Sequence, residues 1–197
     1  MHSLTSLFLT LGLRIRARNK FSYIQPHLPP KSRVLDIGAN DGFISELINK
    51  SGHYVVLADI MNLNRTNLPL FLYDGKTLPF TNNSFDITLL SYVLHHAKNP
   101  EQVLQEASRV ARIVIVLESI VESERERRII TFLDRFLNRL CELAEHSDSC
   151  YSDYEKYHSP QEWQKIMTKL GLHILKFAWL SRSPYKHVIF VVGSNKM

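Results

Sequence analysis

The ten residues Val34-Leu35-Asp36-Ile37-Gly38-Ala39-Asn40-Asp41-Gly42-Phe43 constrain this chain more than any other stretch. Val34, Leu35 and Ile37 make a short apolar strand. Gly38 and Gly42 can take a positive φ at no steric cost. Asn40 is among the few other residues that tolerate the left-handed region. The run therefore reads as a buried strand, a tight turn and the start of a helix. A turn this free of side chains lets the backbone touch a ligand, with the first N–H groups of the helix aimed at it. At the carboxyl end of the first strand of a parallel sheet, that is the place for a nucleotide-like ligand.

Spacing selects among such ligands. A dinucleotide-binding turn reads G-x-G-x-x-G. Here Asn40 stands for the second glycine and the bulky Phe43 for the third, so a pyrophosphate fits poorly. The pattern Asp36-x-Gly38-x-Asn40-x-Gly42 resembles motif I of the class I S-adenosylmethionine (SAM) dependent methyltransferases, usually D/E-x-G-x-G-x-G. It departs from that motif at Asn40, which replaces the middle glycine with a residue of similar backbone freedom.

The next segments extend the resemblance. Tyr54-Val55-Val56-Leu57-Ala58 reads as a second strand after a helix Phe43–Lys50 closed by Gly52. Asp59 follows it, where a nucleotide site keeps an acid for the ribose hydroxyls. A carboxylate accepts from both hydroxyls, and charged acceptors are the stronger ones; the plainer reading is a turn aspartate holding local backbone. Leu70–Tyr73 is a third short strand. Asp74-Gly75, Leu78-Pro79-Phe80 and Phe85-Asp86 resemble the family segment D-x-x-x-L-P-F…F-D, which implies that Asp74, beside Gly75, accepts from the adenine amino group. The resemblance also implies that Ile60 and Ser91 line the cofactor. Without it, Asp74-Gly75 is only a turn.

Ile87–Leu90 is the fourth strand, followed by Ser91-Tyr92-Val93-Leu94-His95-His96. Asn99-Pro100-Glu101-Gln102 opens a helix, with Asn99 as N-cap and Pro100 at the first position. Ile113–Leu117 is a continuous apolar run, as a strand buried on both faces requires. Residues 122–145 read as a long helix and 146–158 as a polar loop with three tyrosines. Ser159-Pro160-Gln161-Glu162 is a capping box, and Gly171 closes its helix. Ile174–Leu180 and Val188–Val192 read as an antiparallel hairpin turning at Ser183-Pro184.

This alternation argues for an α/β sheet. The resemblance, strongest over residues 33–118, implies a doubly wound, Rossmann-like, seven-stranded sheet, mostly parallel with an antiparallel C-terminal hairpin strand. It divides the chain into an N-terminal helix or lid (1–30) and a SAM-binding domain (31–197). Residues 3–18 carry Leu4, Leu7, Phe8, Leu11 and Ile15 on one helical face. Either this face lies on the domain as a lid, the reading preferred here, or it lies on a membrane surface with its basic flank. The apolar run is too short to span a bilayer, and its positive charge follows rather than precedes it, unlike a signal peptide.

Composition narrows the partners. The net charge is +5, with Lys and Arg spread along the chain, which fits ordinary solubility rather than nucleic-acid binding. Cys141 and Cys150 have no metal-site spacing and read as free thiols in a reducing, cytoplasmic setting. No metal is expected: His95 and His96 in an extended chain cannot both point at one ion, and His95 is expected to face away.

The resemblance implies methyl transfer by in-line displacement at the SAM sulfonium, which asks for alignment and, for some acceptors, a base. His96 falls near the expected methyl position. It is the first candidate base, and equally a pocket-lining residue. His146, in the loop, is a second candidate. Three functions stay open: a methyltransferase for a small-molecule or lipid-like acceptor, a non-catalytic SAM-binding partner protein, and a nicotinamide-dependent oxidoreductase, which Phe43 disfavours.

Overall fold

A computed structural model describes residues 4–132, 157–182 and 186–194. The expected alternation is there. Helix α1 (Leu4–Ile24) leads through a 3-10 turn (Gln25–His27) into β1 (Arg33–Ile37). Then follow α2 (Phe43–Lys50), β2 (Tyr54–Asp59), β3 (Leu70–Leu72), β4 (Phe85–Ser91), α3 (Pro100–Val110) and β5 (Ala111–Ser119). A helix α4 covers 124–132, and α5 (Pro160–Lys169), β6 (Leu172–Ser181) and β7 (His187–Ser194) complete the order.

Seven strands make one sheet in the order β3-β2-β1-β4-β5-β7-β6. β1 to β5 run parallel, and β7 lies antiparallel between β5 and β6. The chain lays β2 and β3 on one side of β1, then returns to place β4 and β5 on the other. The direction of winding thus reverses between β1 and β4, and their carboxyl ends flank the crevice where such sheets bind ligands.

Side chains alternate between the two faces. One face carries Leu35, Ile37, Leu90, Val114, Val116 and Phe190 under α3 and α5. The other carries Val34, Leu57, Leu89, Ile115 and Ile189, with Ile48 of α2 and Ile24 of α1. This is why the apolar run at 113–117 shows no alternation: both of its faces are covered. The caps form as expected. Asn99 accepts from the Gln102 N–H at 3.2 Å, and Ser159 and Glu162 form a reciprocal box.

The main correction concerns α1. It extends to Ile24, and its expected inner face is turned outward: Phe8, Leu11 and Ile15 are 70%, 54% and 50% exposed. Ala17 and Ile24 are buried instead. Ala17 follows Phe8, and Ile24 follows Ile15, by nine residues, about two and a half turns, which places them on opposite sides of the helix. The short link to β1 fixes the C-terminal half of α1, so Ile24 sets the rotation of the whole rod. Smaller differences lie at strand ends: β5, β6 and β7 are longer than expected, and β3 stops at Leu72. Residues 133–145 of the expected long helix, the loop to 156 with His146, and the Ser183-Pro184 turn lie outside the described residues.

Candidate cofactor and acceptor site

The turn after β1 takes the backbone that its residues allow. Gly38, Asn40 and Gly42 sit at φ of 71°, 50° and 75°. The Gly38 N–H donates to the Ala58 carbonyl at 2.8 Å, tying the turn to β2. Gly42 has a second reason to be glycine: a Cβ there would stand 2.7 Å from Asn64 Oδ1 and 3.1 Å from Leu57 Cδ2. Phe43, the residue that blocks a dinucleotide turn, opens α2 as a buried core side chain beneath the Arg14 guanidinium, 4.1 Å from the ring centre.

Three polar side chains converge on the crevice from the α1/α2 face. Asp36, next to last in β1, is buried, and its Oδ2 accepts from Ser45 Oγ at 2.7 Å. Its Oδ1 has no hydrogen-bond partner, and neither does the buried Oγ of Ser91, the last residue of β4. Burial pushes the Asp36 carboxyl up to about 7, against the pull of the Ser45 hydroxyl. Asp59, the last residue of β2, takes three backbone donors: Asn40 N–H on Oδ2 at 2.9 Å, and Ile60 and Met61 N–H on Oδ1 at 2.7 and 3.2 Å. It therefore satisfies local backbone as a turn aspartate does. Yet two carboxylate oxygens offer about four lone-pair sites, so three donors do not exhaust them.

Farther along, Asp74 is exposed. Its Oδ1 accepts from the Lys76 and Thr77 N–H groups, both at 2.9 Å. The Thr77 and then the Lys76 amide hold its carboxyl below the usual range. Gly75, at φ 75°, has the Ile60 side chain 3.3 Å from where its Cβ would be, so Ile60, Asp74 and Gly75 share one edge.

Beyond β4 and β5 lies a ring-lined shelf. Tyr92 is held at φ 62°, a conformation that costs a bulky residue about 1–3 kcal/mol. A bond from its N–H to the Leu117 carbonyl, 2.8 Å, fixes it there. The Lys20 ammonium of α1 sits 4.3 Å from the Tyr92 ring centre, and the His187 ring 5.1 Å away. Burial lowers Lys20 to about 8, with Arg16 adding to the shift and Asp41, Asp36 and Glu118 opposing it.

His95 and His96 are not in extended chain. They end a 3-10 turn (Leu94–His96), and their ring centres are 4.0 Å apart. His95 is buried, with Nδ1 2.5 Å from Glu118 Oε2, while Glu118 Oε1 accepts the Leu94 N–H at 2.7 Å. Tyr157 stacks on its other side, 4.8 Å between centres. His96 is half-buried against it.

With this geometry in view, the comparisons are specific. Residues 35–113 match the family described as a methyltransferase domain. A demethylmenaquinone methyltransferase of Corynebacterium urealyticum is 31% identical over 116 residues, 56% of this chain and 50% of the relative. The chain thus spans half the length of that relative. A ubiquinone/menaquinone biosynthesis C-methyltransferase of Burkholderia mallei is 25% identical over 202 residues, 91% of this chain and 83% of the relative. Among solved structures, a chain of the complex between the Haloferax volcanii Trm112 methyltransferase activator and a methyltransferase superposes with a TM-score of 0.70. It is 15% identical and covers 93% of this chain and 92% of its own.

Residues 35–113 are similar to a methyltransferase domain, and the seven-stranded sheet has the Rossmann-like fold of such enzymes.

The methyltransferase match begins at Leu35 and ends at Ile113, so it takes in the glycine turn, Asp59, Asp74 and the histidine turn. The matched family implies SAM as the methyl donor. Three residues packed around Tyr92 and the histidine turn escaped sequence reasoning: Lys20, Glu118 and His187. Glu118 had a signal, since an acid directly after a run of five apolar residues must find a donor in the fold. Lys20 and His187 had none, because only the rotation of α1 and the placement of β7 bring them beside Tyr92.

Proposed function

We propose that this chain transfers a methyl group from SAM to a small, ring-bearing acceptor of the quinone class. The observation that carries the cofactor half is the pair of unpartnered buried oxygens, Asp36 Oδ1 and Ser91 Oγ, beside a left-handed, side-chain-poor turn. Buried polar atoms in folded proteins have partners, so two orphans at one crevice mark a place for a polar ligand. The chemistry of SAM fits what surrounds them. Asp36 and Ser91 suit its ammonium end, Lys20 its carboxylate, and the remaining lone pairs of Asp59 its ribose hydroxyls. Gly38, Asn40 and Gly42 give the backbone close approach, and Ile60, Asp74 and Gly75 form an edge for the adenine. When bound, SAM supplies an electrophilic methyl on a sulfonium.

The acceptor half rests on the shelf. Tyr92, His96 and His187 offer ring faces and edges to a flat apolar molecule, and the named relatives act on quinones. The acceptor atom forms its new bond to the methyl carbon as the carbon–sulfur bond breaks, and the acceptor loses a proton. His96 would take it, a role supported by its ring set against His95, which pairs with Glu118.

The test uses the purified full chain with methyl-labelled SAM. It is offered demethylmenaquinone, oxidised and reduced, and separately a whole-cell extract. Label entering the quinone is the expected result. Label entering only another extract component would move the acceptor class. S-adenosylhomocysteine binding with no transfer to anything would replace the enzyme by a SAM-binding partner protein.

A further inference from the structure

The outward face of α1 was left without a role by the site. Phe8, Leu11 and Ile15 form a stripe at positions i, i+3 and i+7, each half or more exposed. A contiguous apolar patch on a surface helix needs a reason. Its neighbours supply one. Arg16 and Arg18 are exposed, and at 100° per residue they project to opposite sides of the stripe. No Asp or Glu occurs anywhere in Leu4–Ile24. No helix among the described residues is long and apolar enough to cross a membrane.

We propose that α1 docks this protein onto an anionic lipid surface, its stripe in the acyl boundary and its arginines at the headgroups. Three observations select lipid over other occupants. First, the charge complementarity is one-sided: apolar centre, cationic flanks and no acid are what an anionic interface attracts, and the net charge of +5 adds attraction at longer range. The same charges set a second copy of the chain against itself. Second, the helix cannot be enveloped. Ala17 and Ile24 are buried in the domain, and Arg14 reaches Glu46 of α2 at 2.8 Å. Only the crest of the rod is available, and a crest meets a plane better than it fills a groove built to take a free helix. Third, long arginine side chains can lie along apolar surface with their heads in the polar layer, as their place beside the stripe demands.

The opposite side of α1 presents Lys20 to the Tyr92 shelf. One helix would then touch lipid with one face and border the acceptor site with the other, so a membrane-dissolved acceptor would have a short path. The docking itself does not depend on the methyltransferase reading.

The experiment is sedimentation of the full chain with phosphatidylcholine vesicles, with and without phosphatidylglycerol as the anionic component. Wild type should bind the anionic vesicles and lose most of that binding when salt shortens the range of the charges. The triple variant Phe8→Ser/Leu11→Ser/Ile15→Ser should bind at least about tenfold more weakly, and so should Arg16→Gln/Arg18→Gln. The triple variant should keep wild-type thermal stability and S-adenosylhomocysteine affinity, since its substituted side chains are outside the core. Equal binding to neutral vesicles, no binding at all, or full binding by both variants would overturn the proposal. So would a wild-type dimer that the triple variant abolishes, which would make the stripe an interface between copies. Failure of these tests with S-adenosylhomocysteine binding intact would leave the proposed function standing.

Discussion

Asp36 shows how one buried acid couples the site to the solvent. Its carboxyl is raised from 3.8 to about 7, mainly by burial. In that window the folded chain holds a proton that the unfolded chain has released. The unfolded state binds fewer protons, so this group makes stability fall as pH rises from about 4 to 7. Asp36→Asn removes the titration. The difference in denaturation midpoint between variant and wild type should therefore grow in the variant's favour across that range; parallel pH profiles would refute the shift. The histidine turn makes separable predictions. His96→Gln cannot accept a proton and should cut kcat by at least about a hundredfold at unchanged S-adenosylhomocysteine affinity. A loss under about fivefold would make His96 a wall. Glu118→Ala instead leaves two buried donors, the Leu94 amide and the His95 ring, without their acceptor. At about 1–3 kcal/mol each, the melting temperature itself should drop, and a variant as stable as wild type would contradict this pairing.

Elements carry the site by their ends. The turn between β1 and α2 can be tested against a control of the same kind elsewhere. Gly42→Ala must hold an L-residue at φ 75° and place its Cβ 2.7 Å from Asn64 Oδ1, the atom that accepts from both Thr66 N and Thr66 Oγ1. Gly52→Ala meets the left-handed cost at φ 96° with nothing within 4 Å. Gly42→Ala should be the worse by about 1–2 kcal/mol in chemical denaturation and should alone weaken cofactor binding. Equal costs would show that the Asn64 loop yields. This turn was legible in sequence because backbone freedom is a property of single residues. The helix Phe43–Lys50 and both capped helices were legible because their signals are local. The face of α1 was not. Its periodicity gave an apolar stripe correctly, but which stripe meets the domain is decided by Ile24, beyond the stretch that carries the pattern. The partner of His95 was not legible for the same reason: Glu118 is 23 residues away and arrives only through the pairing of β4 with β5.

For the whole molecule, a ligand that binds only the folded state stabilises it by mass action. S-adenosylhomocysteine at about a hundred times its Kd should add roughly 2.7 kcal/mol, a rise of roughly 5–10 °C for a chain of this size. NAD should give none, and a response to NAD alone would point away from a methyltransferase. The acceptor does not follow from the sheet, since one fold hosts many chemistries; the proposed acceptor class rests on the shelf, and the shelf is assembled from both ends of the described chain. Lys20 comes from α1 and His187 from β7. The place of β7 between β5 and β6 has a consequence for how the protein is made. On the ribosome, β5 emerges with both faces apolar and one edge bare, and β6 follows with no neighbour to join. Both must wait for residues 187–194 to be synthesised before the sheet can close. Until then the nascent chain exposes an adhesive strand edge, so this is the interval in which a chaperone would matter most to the yield of native protein.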